Sequence, residues 1–199
     1  MKKQLIATGT LVLAASALAW TAGGANASGD HENAQGRSTR STTAARGVTP
    51  TVISCDGGHQ INMRSRIVTS PFTFTETATP DEDRALPGAG LSFAGPSSGK
   101  DTVLVTVSGE TQVTGGDAND WMGLEVKLDG VNINPYTAVG DVLAFTGEPS
   151  WNLNSGQFCV KVGPGRHRLQ AYVNLHDSSG SHNLNGWVDD YTASFQRFS

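Results

Sequence analysis

The stretch MGLEVKLDGVNI, residues 122–133, decides the fold class of this chain. Its apolar residues alternate with Gly, Glu and Lys, which is the period-two pattern of a β-strand buried on one face. Asp129 and Gly130 follow as the dipeptide typical of a two-residue hairpin turn. A turn at this point pairs residues whose side chains then share one face: Leu128 with Val131, and Val126 with Ile133. Burial and turn chemistry therefore predict the same hairpin.

A second hairpin is predicted from the stretch FCVKVGPGRHRLQAYVNL, residues 158–175. Alternating apolar residues lie on both sides of a four-residue loop that runs from Gly163 to Arg166. This loop length sets the expected pairs: Val162 with His167, Val160 with Leu169, and Phe158 with Ala171. We therefore expect two neighbouring strands of one sheet here.

The remaining sequence predicts further short strands and shows no helical period. The expected strands are Ile67–Thr77, Leu91–Ala94, Val103–Val107, Val142–Thr146 and Trp187–Phe198. Trp187 and Tyr191 share a phase with apolar residues further along the last strand, so both are expected in the core. Short strands separated by turn signals predict an all-β fold, an antiparallel β-sandwich or jelly roll in one domain.

The composition excludes several classes of protein. The 199 residues include 24 glycines, and 37% are hydrophobic, while Lys and Arg total only 14. This excludes a coiled coil, a collagen-like chain and a basic nucleic-acid binder, each of which has its own marked bias. The formal net charge of −4 favours solubility, and no nucleic-acid partner is expected.

Three regions are predicted along the chain. Residues 1–27 have the pattern of a secretory signal peptide, because Lys2 and Lys3 precede an apolar run and Ala25-Asn26-Ala27 fits the cleavage rule. The run is shorter than the roughly 20 residues of a membrane span, so no membrane anchor is expected. Residues 28–50 are expected to be a disordered linker, because they are almost entirely polar or small. Residues 51–199 are expected to form the β-sandwich domain of a secreted, extracellular protein.

The two cysteines, Cys55 and Cys159, are expected to form one disulfide bond, because an even number in an exported chain indicates oxidation. Cys159 lies between Phe158 and Val160, so alternation turns its side chain away from the core. The segment around Cys55 is therefore expected to cross the outer face of that sheet as a strap.

Several motifs resemble catalytic sites but are interpreted as structural. Residues 95–99, GPSSG, match the nucleophile-elbow pattern, yet they lack its strand–turn–helix context and are expected to be a loop. Asp117, Asn119 and Asp120 form either an Asx-capped turn, which we favour, or a calcium site. The stretch from His176 to His182 is expected to be a connecting loop rather than a catalytic cluster. No catalytic residue, metal ligand or cofactor is therefore assigned.

The expected ligand-binding surface is the polar face of the strand before this loop. Alternation places a row of polar side chains opposite the core face: Arg168, Gln170, Tyr172, Asn174 and His176. We call these five residues the polar row. Its cation, amides and rings suit hydrogen bonding and stacking against a polar ligand such as a sugar. Trp121 and Trp151 lie near strand ends and are added as candidate stacking rings. The alternative is an ordinary solvated sheet face, partly covered by Cys159 and the strap.

The last part of the chain resembles carbohydrate-binding jelly-roll modules. The resemblance rests on VKVGPGRHRLQAYV, residues 160–173, and on GWVDDY, residues 186–191. The matching positions are Gly165, His167, Leu169, Asp190 and Tyr191. Residues 123–133, GLEVKLDGVNI, are similar to a hairpin of tumour-necrosis-factor-like jelly rolls. These resemblances imply a jelly-roll fold more than a function. The acidic opening strand of the carbohydrate-binding modules is absent, so their calcium site and sugar-binding loops are not carried over.

The sequence supports three hypotheses about function. The leading one is a secreted, non-catalytic binding module for a polar extracellular ligand, with glycan or cell wall as the expected class. The second is a secreted hydrolase whose carboxylates converge in the fold, for example Glu110, Glu125 or Asp190. The third is a structural or assembly protein.

Overall fold

The computed structural model describes residues 54–76, 81–133, 135, 142–148, 151–180 and 183–199. These residues contain ten β-strands and no helix. The strands are β1 (Gln60–Val68), β2 (Phe72–Thr75), β3 (Arg84–Ala94), β4 (Asp101–Thr114), β5 (Trp121–Leu128), β6 (Val131–Asn132), β7 (Leu143–Gly147), β8 (Trp151–Val162), β9 (Arg166–His176) and β10 (Asn185–Phe198). The predicted leader, 1–27, and the predicted linker, 28–50, lie outside the described residues.

The strands form two antiparallel sheets. The first sheet has the order β1-β10-β4-β8, and β2 also pairs with β10. The second sheet has the order β3-β9-β5-β6, and β7 also pairs with β5. Because β1 and β2 share one edge of β10, and β6 and β7 share one edge of β5, each sheet has four strand positions. Two such sheets packed face to face are an antiparallel β-sandwich, and the alternation of consecutive strands between the sheets, from β3 to β5 and from β8 to β10, gives it the jelly-roll topology. The predicted fold class is confirmed.

The core lies between the two sheets and is built by alternation. In β4, the odd-numbered Val103, Val105, Val107 and Val113 are at most 2% exposed. Facing residues of β5 and β9 are equally buried, among them Leu124 and Leu169 and their alternate neighbours. The predicted strand at Val103–Val107 is therefore confirmed, although it is only part of the first half of a longer strand.

The hairpin at Asp129-Gly130 is confirmed in its predicted register. Leu128 pairs with Val131, and the amide of Ile133 donates to the carbonyl of Val126 at 2.9 Å. Asp129 and Gly130 have φ values of 52° and 87°. A two-residue turn of this type needs positive φ at both central positions, and Asp-Gly is among the few dipeptides that adopt it readily.

The second predicted hairpin is wrong, because β8 and β9 belong to different sheets. β8 pairs with β4 from Trp151 to Val162, whereas β9 pairs with β3 and β5. The loop at Gly163–Gly165 therefore crosses between the sheets, and the amide of Gly95 donates to the carbonyl of Gly165 at 2.6 Å. Alternation does not distinguish a hairpin within one sheet from two strands in facing sheets, because strands in facing sheets also direct their apolar residues toward one interior.

Other strand boundaries also differ from the predictions. The predicted strand at Ile67–Thr77 is the end of β1 and all of β2, separated at residues 69–71; Pro71 has no amide hydrogen to donate there. The predicted strand at Leu91–Ala94 is only the end of β3. An irregularity between Ala85 and Gly90 interrupts the first half of β3, which hides its alternation in the sequence. The predicted strands at Val142–Thr146 and Trp187–Phe198 correspond to β7 and β10.

The disulfide bond and the strap are both confirmed. Cys55 and Cys159 are bonded, with their Cα atoms 5.9 Å apart. Past Cys55, the carbonyl of Asp56 accepts a 2.7 Å hydrogen bond from Thr102 Oγ1 on the outer face of β4. The amide of Gly58 then donates to the carbonyl of Ser199, directly after β10, at 3.0 Å. The strap thus crosses three strands of the first sheet on the face opposite the core.

Candidate ligand-binding site

The polar row lies where alternation predicts it, on the outer face of the second sheet. Its core-facing neighbours Leu169, Ala171 and Val173 are at most 1% exposed. Within the row, Arg168 is exposed, Asn174 is buried, and the other three residues are half-buried. All of the row except Arg168 is therefore at least half-buried, because other parts of the chain cover it.

Gln170 and Asn174 are used in bonds within the protein. Gln170 Nε2 donates to the carbonyls of Leu86 and Ala171, both at 2.9 Å. Asn174 Nδ2 lies 3.5 Å from Asp83 Oδ1, and the residue is only 3% exposed. Both contacts tie β9 to the segment that leads into β3 and to its irregular first half. The amide donors of the row therefore hold this segment in place.

Lys127, on the neighbouring strand β5, joins the same network. Its ammonium group contacts the carboxylate of Asp83, lies 2.9 Å from Glu125 Oε1, and is 5.1 Å from the ring centroid of Tyr172. Burial raises the pKa of Glu125, and the nearby Asp83 carboxylate adds to the rise while Lys127 opposes it. Burial acts to lower the pKa of Lys127, but its bonds to the two carboxylates outweigh this and raise it.

The far end of the row is closed by an aromatic pair. The rings of Trp121 and His176 are 4.9 Å apart between centroids, with an angle of 37°. His176 Nδ1 also lies 3.0 Å from Asp81 Oδ1. From Gln170 to His176, each side chain of the row thus contacts a residue of β5 or of the chain before and within β3. Its role in ligand binding stays a prediction, and the packing favours a structural role.

The seven predicted site residues do not form one surface. Trp121 joins the polar row on the second sheet, but Trp151 begins β8 and lies on the outer face of the first sheet. The two faces lie on opposite sides of the sandwich. Glu110 and Glu125, two carboxylates considered for a hydrolase, are separated in the same way, on β4 and β5. These two carboxylates therefore cannot converge.

The expectation that Trp187 is a core residue is wrong, whereas Tyr191 is core as predicted. The pairing of β10 with β4 is regular up to Asp189 opposite Glu110 and resumes at Thr192 opposite Ser108. Asp190 lies within this bulge and has a φ of 42°. An extra residue of this kind exchanges the inward and outward positions on the two sides of the bulge. Trp187 consequently points outward.

Trp151 and Trp187 form a pair on the outer face of the first sheet, which we call the tryptophan platform. Both are cross-strand neighbours of Gln112 on the central strand β4. Their rings are 4.5 Å apart between centroids, at 48° to each other, so they lean together over Gln112. Trp151 remains 58% exposed, and Leu153, the next outward residue of β8, is 75% exposed. The platform is thus an apolar patch open to solvent.

Polar groups surround this platform. Trp151 Nε1 lies 3.4 Å from Glu110 Oε2, and Asp189 is the cross-strand partner of Glu110. On the other side, an open groove of about 820 Å³, counted out to solvent, continues from Trp187. Hydroxyl and amide side chains line it: Thr73, Thr75, Gln112, Thr114 and Asn185. An aromatic pair with carboxylates on one side and neutral hydrogen-bonding groups on the other is the chemistry of this face.

Sequence reasoning missed Trp187, although the sequence contains a signal for it. In GWVDDYTASF, the core residues Val188 and Tyr191 are three positions apart, whereas the later core residues follow every second position. Two consecutive aspartates fill the gap. This spacing indicates a bulge, and a bulge turns Trp187 to the outer face.

The motifs interpreted as structural have structural contacts. Residues 95–100 are a loop between β3 and β4, as expected. Asp117 Oδ1 accepts the amide of Asn119, and Asp120 Oδ2 accepts the amide of Asp117, both at 2.7 Å. These bonds match the predicted Asx-capped turn. Within the described ranges there is no group of three or more His, Cys, Asp or Glu that could hold a metal ion.

In the loop after β9, Asp177 Oδ1 accepts the amides of Ser179 and Gly180, both at 2.8 Å. The predicted connecting loop extends to residues 181–182, which lie outside the described residues. The described part of the chain also contains no helix of the length and apolarity that a membrane span requires.

No known family profile and no curated protein matches this sequence. Among solved structures, the fold is similar to infectious bursal virus derived T=1 particles, with 12% identity and a TM-score of 0.44 over 75% of this chain and 34% of that one. It is similar to the infectious bursal disease virus VP2 subviral particle, with 9% identity and a TM-score of 0.36 over 75% and 42%. It is also similar to dimeric latent PorU from Porphyromonas gingivalis, with 9% identity and a TM-score of 0.31 over 72% and 14%. This chain thus spans about a third of the first of these proteins.

Proposed function

We propose that this protein is a secreted, non-catalytic binding module for a neutral glycan, such as a cell-wall polysaccharide, and that the tryptophan platform is its binding site. The observation that carries the proposal is the exposure of Trp151 beside Trp187. Leaving a large apolar side chain in water forgoes roughly 1.5–3 kcal/mol relative to burying it. Trp151 and Leu153 are both exposed at consecutive outward positions of β8, so two large apolar side chains lie side by side in solvent at the platform.

The polar groups beside the platform favour a ligand rich in hydroxyl groups. The groove next to Trp187 offers threonine hydroxyls and the amides of Gln112 and Asn185, which both donate and accept hydrogen bonds. A sugar ring presents an apolar face to an aromatic ring and hydroxyl groups at its edge. The combination of platform and groove therefore suits a chain of sugar units lying across β8, β4, β10 and β2.

The charges beside the platform favour a neutral ligand. Glu110 and Asp189 are cross-strand partners next to the Trp151 ring, and carboxylates accept hydrogen bonds from sugar hydroxyls. The same two charges repel an anionic polymer. We therefore expect neutral polysaccharides to bind and uronic-acid polymers to bind more weakly.

The extracellular location is part of the proposal. The predicted leader at residues 1–27 supports export, and the Cys55–Cys159 disulfide is consistent with an oxidising compartment. A cell-wall polysaccharide would be met in such a location.

Retention on insoluble neutral polysaccharides and isolated cell walls tests the proposal. We expect the protein to be retained, and Trp151→Ala to weaken retention by roughly two- to tenfold, the range for loss of one aromatic stacking contact. Trp121→Ala is the matched control, because it removes the same ring from the outer face of the other sheet. Equal losses in the two variants, or no retention of the native protein on any of these materials, would contradict the proposal.

A reducing-sugar assay on the same materials separates binding from hydrolysis. The only favourable observation for a hydrolase within the described ranges is the adjacent pair Glu110 and Asp189. We expect no release of sugar ends. Release that disappears in Glu110→Gln would replace the binding module with an enzyme.

A further inference from the structure

A separate cavity opens at the edge of the sandwich formed by β1 and β3. It contains about 540 Å³ of empty space, counted out to open solvent. Its apolar walls come from both sheets, and polar side chains stand beside them: Leu91, Phe93 and Phe195, with Asn62, Arg64 and Arg197. The cavity opens between the two sheets at this edge, with the exposed residues Asn62 and Arg64 on one side, whereas the tryptophan platform lies on an outer face.

The cavity exists because the inward face of β1 is polar. Arg64 is the cross-strand partner of Phe195, and Arg66 is the partner of Ala193, and both partners are core residues. An apolar residue at position 64 would complete the core at this edge. Inward charges on an edge strand also hinder pairing with another chain, but that explanation applies equally to both arginines. Of Arg64 and Arg66, only Arg64 lines the cavity.

The two cationic side chains in the cavity differ in their charge balance. Arg197 Nε donates to the carboxylate of Asp101, and its Nη1 donates to the carbonyl of Ala94 at 2.6 Å. These contacts neutralise and orient Arg197. Arg64 has no hydrogen bond or ion pair with any residue in the described part of the chain. The cavity therefore has an apolar interior and one uncompensated positive charge beside it.

We infer that this cavity binds a small aromatic carboxylate. The ring of the ligand would lie against Leu91, Phe93 and Phe195, whose side chains offer an apolar and partly aromatic wall. Its carboxylate would meet the Arg64 guanidinium, which matches a carboxylate in two parallel hydrogen bonds. The side chain of Asn62 adds an amide donor beside it. Positive charge next to an apolar wall selects an amphiphilic anion over a neutral apolar molecule or a sugar.

Calorimetric titration of the purified protein with naphthalene-2-carboxylate tests this inference. We expect saturable binding, and in a parallel NMR titration we expect chemical-shift changes at the β1 and β3 amides. Arg64→Gln should weaken binding by about tenfold or more, as expected for loss of hydrogen bonds to a charged group. Arg66→Gln is the matched control, since it removes the same charge from the same face of the same strand. It should change the affinity by less than about twofold.

Two further measurements make the test decisive. The neutral analogue naphthalene-2-carboxamide should bind more weakly than the carboxylate, and Leu91→Trp, which fills the cavity, should abolish binding. Thermal unfolding of each variant confirms that it is folded. Equal losses in Arg64→Gln and Arg66→Gln, equal binding of carboxylate and carboxamide, or no saturation by about 1 mM would overturn the inference. An affinity that falls as protein concentration rises would also overturn it, because a second copy of the chain would then occupy the cavity.

Discussion

The outer faces of the two sheets contain similar residue types and use them differently. Both faces have a tryptophan at a strand end, carboxylates on the central strands and amide side chains between them. On the second sheet, Lys127 lies between Asp83 and Glu125, and Trp121 packs on His176. On the first sheet, Trp151 and Trp187 contact each other and remain open on one side.

The difference comes from what covers each face. The segment that leads into β3 brings Asp81 and Asp83 over the second sheet, where they meet His176, Lys127 and Asn174. On the first sheet, the strap is bonded to Cys159 and Thr102, toward the end of β8 distant from Trp151. A polar, aromatic face is therefore a candidate binding site only where no segment of the chain already uses its groups.

The largest effect is expected from removing the disulfide bond, in the double variant Cys55→Ser and Cys159→Ser. The bond closes a loop of 104 positions, and its loss should lower the free energy of unfolding by about 2–4 kcal/mol. Urea denaturation measures this change. Because the strap is distant from the tryptophan platform along β8, polysaccharide retention of the folded variant should stay at the native level. A parallel loss of retention would show that the two ends of this face are coupled.

A smaller effect is expected for Lys127→Met on the covered face. The substitution leaves Glu125 buried without its cation, which should lower the free energy of unfolding by about 2 kcal/mol. Lys161→Met, on the outer face of the first sheet, should change it by less than about 0.5 kcal/mol.

The loss of unfolding free energy in Lys127→Met should also depend on pH. Burial already raises the pKa of Glu125, so its charged form is the unfavourable one in the folded state. Protonation relieves this cost, and the deficit should shrink as the pH falls from about 8 toward 5. A deficit that grows on acidification, or equal effects of the two lysine variants, would contradict a stabilising network on the covered face.

The smallest effect is expected at the turn that joins β5 to β6, at the edge of the covered face. His167 Nδ1 lies 2.7 Å from Asp129 Oδ2. The hydrogen bond with Asp129 raises the pKa of His167 above its ordinary 6.5. The contribution of His167 to the free energy of unfolding is therefore complete below pH 6.5, and it is lost as the pH rises through the folded-state pKa. The bond with His167 lowers the pKa of Asp129 below its ordinary 3.8, so the contribution of Asp129 is present above 3.8 and is lost as the pH falls through the folded-state value.

Asp129→Asn tests this pair while keeping the turn, because Asn also tolerates positive φ and can still accept the amide of Arg168. Asp129 is 47% exposed, so the loss should be below about 1 kcal/mol near pH 5 and close to zero near pH 8. Urea midpoints at the two pH values measure it. An equal loss at both would show that the turn, rather than the ion pair, had been damaged.

Local patterns in the sequence predicted a large part of the fold. Alternation in β4 and β5 gave the core face of each strand, and Asp129-Gly130 gave the register of its hairpin, because both depend on residues a few positions apart. The position of Cys159 between Phe158 and Val160 was enough to predict the strap. The same reasoning placed the polar row on the correct face of β9.

The candidate site was predicted less well, because it depends on contacts between distant parts of the chain. The sequence predicts Trp151 as a site residue but places its partner Trp187 in the core, because simple alternation does not include the extra residue at Asp190 that reverses the phase of β10. The expectation that the strap covers part of the polar row is wrong, because Cys159 lies in the other sheet. Asp83, some ninety positions before Asn174, occupies part of the row instead.

The sequence by itself determined that this protein is a β-sandwich, which side of most strands is buried, and where one disulfide bond forms. These properties follow from a period of two residues, from turn chemistry and from the number of cysteines. The tertiary structure alone decided that β8 and β9 lie in different sheets, that Trp187 joins Trp151, and that Arg64 faces a cavity. The physical reason is that backbone hydrogen bonds between strands do not depend on side-chain identity. The partner of each strand is therefore chosen by the packing of the whole chain, and with it the residues that meet on each face.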